Sequence, residues 1–226
     1  MARLHLFLLL ALGLAMTASL HLGLRLYDPA TVLAALRGGG DTDALIIANL
    51  RLPRTLVGAV TGASLGLSGL LMQAATRNPL AEPGLLGVNA GAAFAVTLGI
   101  TAFGAASLVQ IGLLATIGAI AATAAVFGIA LAAGQAAGPA TTLLAGVTVA
   151  GMLASLTQVL LLADETALET LLFWLSGGFA DRGTGLLRLG VPALLAGLLG
   201  ARLLAPALDA LRLDDDSARS VGVRVA

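Results

Sequence analysis

Long apolar runs, separated by short polar or glycine-rich turns, dominate the pattern of this sequence. A helix needs about 20 consecutive apolar residues to cross the core of a bilayer, and about six runs reach that length. They are Leu4–Leu26, Thr55–Ala75, Gly84–Phe103, Ser107–Ala133, Thr141–Ala163 and Gly185–Leu208. The pattern predicts an all-α fold, a polytopic transmembrane bundle of about six spans. We expect one transmembrane domain over residues 1–226, with the first run retained because it is too long for a signal peptide.

A further apolar stretch, Ala167–Phe179, is too short to cross a membrane and predicts an interfacial or re-entrant helix. Thr166 and Glu169 have the spacing of a capping box at its start. Gly177-Gly178 would end it, because glycine readily adopts the left-handed conformation that closes many helices.

A polar segment from Tyr27 to Asn49 separates the first two predicted spans. Asp28-Pro29 is typical of a helix start, and the glycines at positions 38–40 are typical of a helix end. A short helix is therefore expected between them.

Small residues recur every four positions on three of the predicted spans. This spacing lets helix backbones approach closely in lipid, where no hydrophobic force drives helices together. The residues are Gly58, Gly62 and Gly66 on the second span, Gly87, Gly91 and Ala95 on the third, and Gly146, Ala150 and Ala154 on the fifth. The spacing predicts helix packing, and it is equally compatible with helices that slide or tilt during transport.

The composition removes several classes of function. The chain is 58% hydrophobic and 11% charged, whereas about a quarter of the residues in a soluble domain are charged. Its net charge of +0 offers no electrostatic case for binding nucleic acid. Without Cys there are no disulfides or thiolate metal sites, and we expect neither metal nor cofactor. All basic residues are Arg, so the Lys that a P-loop places on phosphates is lacking and any ATPase must be a separate chain.

Ionisable residues are almost absent from the interiors of the predicted spans. Proton-coupled transporters use Asp, Glu or His relays within their helices. The candidates here all lie near span ends, and they are His5, His21, Glu82 and Asp164. The pattern disfavours proton coupling, and an ion-coupled secondary transporter with broken midplane helices stays as the alternative.

Arg51 and Arg54 are spaced i, i+3 and should share one face of a helix at a membrane boundary. Pro53 lies between them, as expected of an early helical residue. The two guanidinium groups could pair with carboxylates on a partner protein, because Arg binds carboxylates in a bidentate manner. Taken alone, their charge favours the interpretation that they are anchors extending to the membrane interface.

The turn that begins at Asn78 contains Pro79, Glu82 and Pro83, and its two prolines break the helix twice. Irregular backbone at membrane depth must be buried in protein or line a water-filled path. Asn78 can hydrogen-bond within its own turn, and Glu82 can favour the following helix N-terminus. We expect this turn to be structural or to act as a gate.

The polar tail begins after the last predicted span. Asp216 is typical of a helix N-cap and Gly222 of a helix end, so one or two helical turns are expected between them. Taken alone, this segment is most simply a solvated loop.

Three motifs, taken in order, resemble the FecCD-type (type II) ABC importer permeases for iron-siderophore, haem and cobalamin. They are R-L-P-R at 51–54, N-P-L-A-x-P-x-x-L-G at 78–87 and A-R-x-x-G at 218–222. Trp174 and Gly177 match a further element of the family. The positive-inside rule leaves orientation open, because the arginines divide evenly between the two sides. The resemblance implies a cytoplasmic N-terminus.

The resemblance implies a permease subunit of an ATP-driven importer in the cell inner (cytoplasmic) membrane, with no catalytic residues of its own. Its partners would be ABC ATPase subunits, a periplasmic or lipid-anchored substrate-binding protein, a second permease subunit in a homo- or heterodimer, and membrane lipid. The binding protein would dock on Arg51 and Arg54. Residues 209–226 would be the cytoplasmic coupling segment. The residues expected to contact the ATPase are Asp216, Ser217, Ala218, Arg219 and Gly222.

The chain also departs from the family. Six apolar runs here reach the length of a span, whereas family members usually have about ten. We expect a C-terminally truncated permease, and a non-transporting fragment is a further alternative. Which chelate is carried, a siderophore complex, haem or cobalamin, does not follow from the sequence.

Overall fold

The computed structural model describes residues 2–76, 78–105, 107–134, 139–179 and 184–211. Across these ranges the regular structure is helical and no strand occurs, so the predicted all-α class is confirmed. The helices are α1 (Ala2–His21), α2 (Pro29–Leu36), α3 (Thr42–Ile46), α4 (Leu52–Thr76), α5 (Val88–Phe103), α6 (Leu108–Ala132), α7 (Pro139–Ala163), α8 (Glu165–Leu175) and α9 (Leu187–Leu211). A π-helical turn, Ile47–Arg51, joins α3 to α4, and 3₁₀ turns occupy Pro83–Leu86 and Thr184–Leu186.

Five helical segments in the described ranges are long and apolar enough to cross a membrane. They are Arg3–His21, Thr42–Thr76, Leu108–Ala132, Ala140–Ala163 and Thr184–Asp209. Each corresponds to one of the predicted spans. The second is longer than predicted, since α3 and the π-helical turn extend α4 at its N-terminal end.

The third predicted span, Gly84–Phe103, is shorter in the structure than in the prediction. Pro83–Leu86 forms a 3₁₀ turn, and Gly87 follows in the left-handed conformation with φ 74°, so α5 begins only at Val88. Its 16 residues extend about 24 Å at about 1.5 Å per residue, less than the roughly 30 Å of a bilayer core.

The chain divides into two compact units, residues 1–67 with 178–202 and residues 68–177 with 203–226. The first unit has a core of buried residues between α1 and α4: Tyr27, Val32, Ala35, Ala44 and Ile47. The second has two cores. One contains Leu86, Ala122, Val126, Ala145 and Val149, and the other Val96, Ile111 and Leu171. One transmembrane domain over residues 1–226 stays a prediction.

The short helix predicted after Asp28-Pro29 is confirmed as α2. The Asp28 carboxylate accepts hydrogen bonds from the backbone N–H and the hydroxyl of Thr31, and these bonds lower the pKa of that carboxyl. Gly38, with φ 83°, follows the helix end as predicted. The next helix, α3, was not predicted, and Asp41 caps it by accepting from the Ala44 N–H at 2.9 Å.

Helix α8 starts two residues earlier than predicted, and its predicted capping box is wrong. Asp164 is the N-cap, and its carboxylate accepts from the Ala167 N–H at 3.1 Å. Thr166 is the second residue of this helix, so it cannot be the N-cap that the predicted capping box requires. The predicted end is confirmed, because Gly177 adopts φ 65° directly after the last turn.

The predicted packing glycines of α4 are not in close contact with another helix. A Cβ at Gly62 or Gly66 would meet no described atom within 4 Å, and one at Gly58 would lie 4.0 Å from the Phe179 ring. Among the predicted packing glycines, those with close approaches are Gly91 and Gly146, on the third and fifth predicted spans. Four-residue spacing therefore identified a feature shared by several helices without indicating which of them are in contact.

Candidate functional site

Arg51 is the last residue of the π-helical turn, and its guanidinium group is directed back to the end of α1. Nη1 donates to the carbonyl oxygens of Leu20 (2.9 Å) and Leu22 (3.2 Å), and Nη2 donates to the carbonyl oxygen of Arg25 (2.5 Å). The guanidinium carbon lies 4.4 Å from the centroid of the Tyr27 ring. We call Arg51 with these four partners the Arg51 clasp.

The Arg51 clasp supplies hydrogen-bond donors for carbonyl groups that the end of α1 leaves unpaired. The last carbonyl groups of a helix have no partner within the helix, and the Leu20 carbonyl belongs to the final turn of α1. Gly23 makes the approach of Arg51 feasible, since a Cβ at that position would lie 2.7 Å from Nη2. Arg51 therefore terminates α1 from a distant part of the chain.

Other hydrogen bonds hold the same region. The Thr55 hydroxyl donates to the Arg51 carbonyl oxygen (2.9 Å), so the Ser19 hydroxyl, 2.7 Å away, donates to Thr55. Because its partner is a carbonyl oxygen, His21 Nδ1 is the donor to Tyr27, at 2.9 Å.

An ion pair lies next to the clasp. Asp43 pairs with Arg25 at 3.2 Å, and the Tyr27 hydroxyl donates to the same carboxylate at 3.4 Å. These two bonds fasten the segment after α1 to α3, and the clasp fastens it to the π-helical turn.

Arg54 is in a different situation from Arg51. It is exposed to solvent, and it makes no hydrogen bond or ion pair with any other residue in the described ranges. Pro53 between the two arginines is buried and lies within the helix that began at Thr42, rather than at a fresh helix start. The sequence motif presents two equivalent arginines, whereas the fold uses one internally and leaves the other available.

The turn after α4 is ordered by Asn78, as predicted. Its side-chain oxygen accepts from the Leu80 N–H at 2.9 Å, and its carbonyl oxygen accepts from the Ala81 N–H at 3.1 Å. Glu82 is exposed and precedes the 3₁₀ turn without a side-chain capping bond. Pro79 is exposed and Pro83, the first residue of the 3₁₀ turn, is half-buried.

The 3₁₀ turn is inserted between α6 and α7. Leu86 at its end is 3% exposed and belongs to the core that contains Val126 and Val149. A Cβ at Gly146 would overlap the Leu85 carbonyl oxygen. Val126 and Gly146 lie about 9–11 Å from the adjacent ends of their helices, at about 1.5 Å per residue. The end of the 3₁₀ turn is thus buried in protein, as irregular backbone at membrane depth requires, whereas Pro79 and Glu82 before it are exposed.

Helix α5 continues from this turn in direct backbone contact with α6. A Cβ at Gly91 would overlap the Gly118 carbonyl oxygen and Ala122, and one at Gly118 would overlap the Gly91 carbonyl oxygen and Ala95. Neither glycine can be replaced without separating the helices. Sequence spacing found Gly91 but missed Gly118, which has no neighbouring glycines at four-residue intervals.

The predicted ATPase-contacting residues, Asp216, Ser217, Ala218, Arg219 and Gly222, lie outside the described residues. Trp174 lies half-buried in α8 and packs on the core of Val96, Ile111 and Leu171. No group of three or more His, Asp or Glu in the described ranges could hold a metal ion.

Comparison with known proteins gives a consistent result. The family model described as the FecCD transport family matches residues 9–226. The ferric enterobactin transport system permease protein FepD of Escherichia coli (strain K12) is 41% identical over 221 residues, covering 97% of this chain and 66% of that protein. The probable siderophore transport system permease protein YfiZ of Bacillus subtilis (strain 168) is 37% identical over 183 residues, 81% of this chain and 55% of that protein.

A solved structure agrees in fold. It shows an inward-facing conformation of a transporter assigned to the metal-chelate type of ABC transporter, with TM-score 0.77 and 27% identity, covering 99% of this chain and 69% of that one. The chain spans 66% and 55% of the lengths of the two curated relatives named above.

Proposed function

Because this chain belongs to the FecCD transport family, we propose that it is the transmembrane permease subunit of an ATP-driven importer. The cargo is an iron-siderophore complex or a related metal chelate such as haem or cobalamin, moved across the inner membrane. The observation that carries the proposal is the match of the family model from residue 9 to residue 226, across nearly all the chain. The two relatives named above are permease proteins of siderophore systems by their descriptions.

The partners follow from the composition and the family. Without Lys in its sequence, the chain has no P-loop, so ATP is hydrolysed on separate ABC ATPase subunits. A substrate-binding protein delivers the chelate, and a second permease subunit completes the pathway. The chain itself does no bond-making chemistry.

Docking of the binding protein is assigned to the segment of Arg51 and Arg54. Exposed guanidinium groups suit acidic side chains on a partner, because the planar fork binds a carboxylate with two parallel hydrogen bonds. Within the part of the chain that the structure describes, Arg54 makes no hydrogen bond, so its donors suit such a contact.

The turn around Asn78, Pro79, Glu82 and Pro83 is assigned to gating. Leu86 packs between α6 and α7, and Gly146 lies against the Leu85 backbone. A tilt of either helix must therefore move the turn or separate it from its neighbours. Such a closely packed element has a small number of discrete arrangements, which is what a two-state transport cycle needs.

Co-purification tests the proposal. The chain is extracted in detergent from its host, and ABC ATPases that accompany it are identified by mass. Arg219→Glu reverses a charge inside the predicted ATPase-contacting residues, and Arg224→Glu makes the same change outside them. We expect the wild-type chain and Arg224→Glu to retain an ABC ATPase and Arg219→Glu to lose it. Absence of any ABC ATPase from a well-inserted wild-type chain would contradict the proposal.

A further inference from the structure

We propose that the two arginines of the docking segment have different roles: Arg51 is a positioning residue that holds the end of α1, and Arg54 alone offers its guanidinium group to the partner. The inference rests on the proposed function for its docking half. Its positioning half concerns only contacts within this chain.

The hydrogen bonds of Arg51 carry the first step. A guanidinium group has five N–H donors, and both terminal nitrogens of Arg51 already donate to main-chain carbonyl oxygens. Tyr27, itself 8% exposed, covers one face of the group. The three bonds occupy three of the five donors, and a carboxylate that binds end-on through both terminal nitrogens would have to displace these carbonyl groups and leave them unpaired.

The shape of the guanidinium group carries the second step. The clasp joins carbonyls of three residues, Leu20, Leu22 and Arg25, while the plane of the group stacks on Tyr27. A Lys ammonium is a compact point charge without a planar fork, so it cannot reproduce this set of contacts. Arg51→Lys should therefore keep the charge and lose the clasp.

Gly23 supplies an independent way to open the clasp. A Cβ at Gly23 would lie 2.7 Å from Nη2 and 3.1 Å from the guanidinium carbon of Arg51. The atoms in conflict are at the far end of a flexible side chain, so Gly23→Ala should displace the guanidinium group and leave the backbone in place. This variant keeps Arg51 and its charge while removing its contacts.

Hydrogen bonds and an ion pair that do not involve the Arg51 side chain limit the structural change expected when the clasp opens. The Ser19–Thr55, His21–Tyr27 and Arg25–Asp43 contacts hold the same segment without Arg51. Opening the clasp should therefore loosen residues 22–27 locally and leave the bundle folded.

The first experiment labels arginines in membranes that contain the whole chain, with phenylglyoxal as the probe and mass spectrometry as the readout. Arg51 should react at least about tenfold more slowly than Arg54, because its labelling requires a local opening of the structure. In Gly23→Ala the labelling of Arg51 should rise towards that of Arg54. Equal labelling of the two arginines in the wild-type chain would overturn the inference.

Hydrogen exchange of residues 20–28 supplies a second readout of the same step. The Tyr27 N–H donates to the His21 carbonyl oxygen at 3.0 Å, so its protection reports the fold of this segment. Exchange should accelerate in Arg51→Lys and Gly23→Ala and stay unchanged in Arg54→Ala. Unchanged exchange in Arg51→Lys would also overturn the inference.

Capture of a substrate-binding protein from the host's envelope by the detergent-solubilised chain tests the docking half. Arg54→Ala should lose capture with normal exchange in residues 20–28. Arg51→Lys and Gly23→Ala should weaken capture together, in proportion to their faster exchange. If Gly23→Ala captures normally while Arg51→Lys does not, Arg51 binds the partner directly and the inference fails. If the wild-type chain captures no binding protein but the labelling contrast holds, the proposed function fails and the positioning role stands.

Discussion

The Arg51 clasp and the buried turn at Pro83–Leu86 are held by opposite means. In the clasp, one long polar side chain reaches across a gap to carbonyl groups that a helix end leaves unpaired. Around the turn and α5, glycines remove side chains so that backbones touch directly. Truncating the Arg51 side chain breaks the first arrangement, whereas adding a methyl group at Gly118 breaks the second. Substitution to alanine therefore removes bonding atoms at Arg51 and adds a clashing atom at Gly118.

The largest effect is expected at the glycine contacts. Gly118→Ala places a Cβ on the Gly91 carbonyl oxygen and on Ala95, so α5 and α6 must separate. Overpacking of this kind destabilises by about 3 kcal/mol, at the upper end of its usual range. The measurement is the midpoint of thermal unfolding in detergent.

Gly112 and Gly128 provide matched controls on the same helix, because a Cβ at either would meet no described atom within 4 Å. Alanine there should be neutral or stabilising by up to about 1 kcal/mol, since it is the better helix former. If Gly118→Ala unfolds at the same temperature as Gly112→Ala, the backbone contact between α5 and α6 is absent.

Removal of the clasp should have the next largest effect. Arg51→Ala leaves the carbonyl groups of Leu20, Leu22 and Arg25 without their charged donor, and a hydrogen bond to a charged group contributes about 1.5–3 kcal/mol. Because the site is partly exposed and water can replace some of these hydrogen bonds, we expect the free energy of unfolding to fall by about 2 kcal/mol in all.

Arg54→Ala, three residues along, is the control. Its free energy of unfolding should stay within about 0.5 kcal/mol of the wild-type value, as is usual for substitutions at exposed positions. The same unfolding measurement in detergent compares the two. Equal effects of the two substitutions would remove the contrast on which the clasp depends.

These two regions also show which features of the fold could be predicted from the sequence. Apolar runs located the spans because burial in lipid requires length and composition, which a sequence displays directly. Four-residue spacing did not distinguish Gly91, which touches α6, from Gly62 and Gly66, which face open space in the described chain. That difference depends on which helix lies opposite, and this is a property of the fold.

The two paired arginines show the same limit. The spacing of Arg51 and Arg54 predicted one shared face, and the motif gave both one role. Their actual difference depends on residues 20–27, a segment about 25–30 positions earlier in the chain and joined to Arg51 only through tertiary contacts. The glycine at position 23, two residues after the end of α1, was the available signal, since it leaves room for a large group.

A smaller effect is expected from the hydroxyl pair that links α1 to α4. Ser19→Ala removes the donor to Thr55, and interhelical hydrogen bonds in membrane proteins contribute about 0.6 kcal/mol on average. Ser64→Ala is the control, because Ser64 donates only within its own helix, to Val60. The double substitution Ser19→Ala with Thr55→Val should lower the free energy of unfolding by little more than Thr55→Val alone. This holds if the two hydroxyls bond only to each other across this contact, because Thr55→Val already removes their bond.

The smallest expected effect is on the pH dependence of stability. It should involve a polar contact at Asp28 and leave the glycine contacts unaffected. The Thr31 hydroxyl and N–H lower the pKa of Asp28, so the folded state favours the carboxylate. The capping contribution is complete above the ordinary carboxyl range of about 4 and is lost as pH falls through the lower pKa of the folded state. Asp28→Asn, an equally good N-cap, should remove this dependence, whereas Gly118→Ala should leave the acid limb of a plot of unfolding midpoint against pH unaltered in shape. An acid limb that is the same in Asp28→Asn and wild type would assign it to other carboxyl groups.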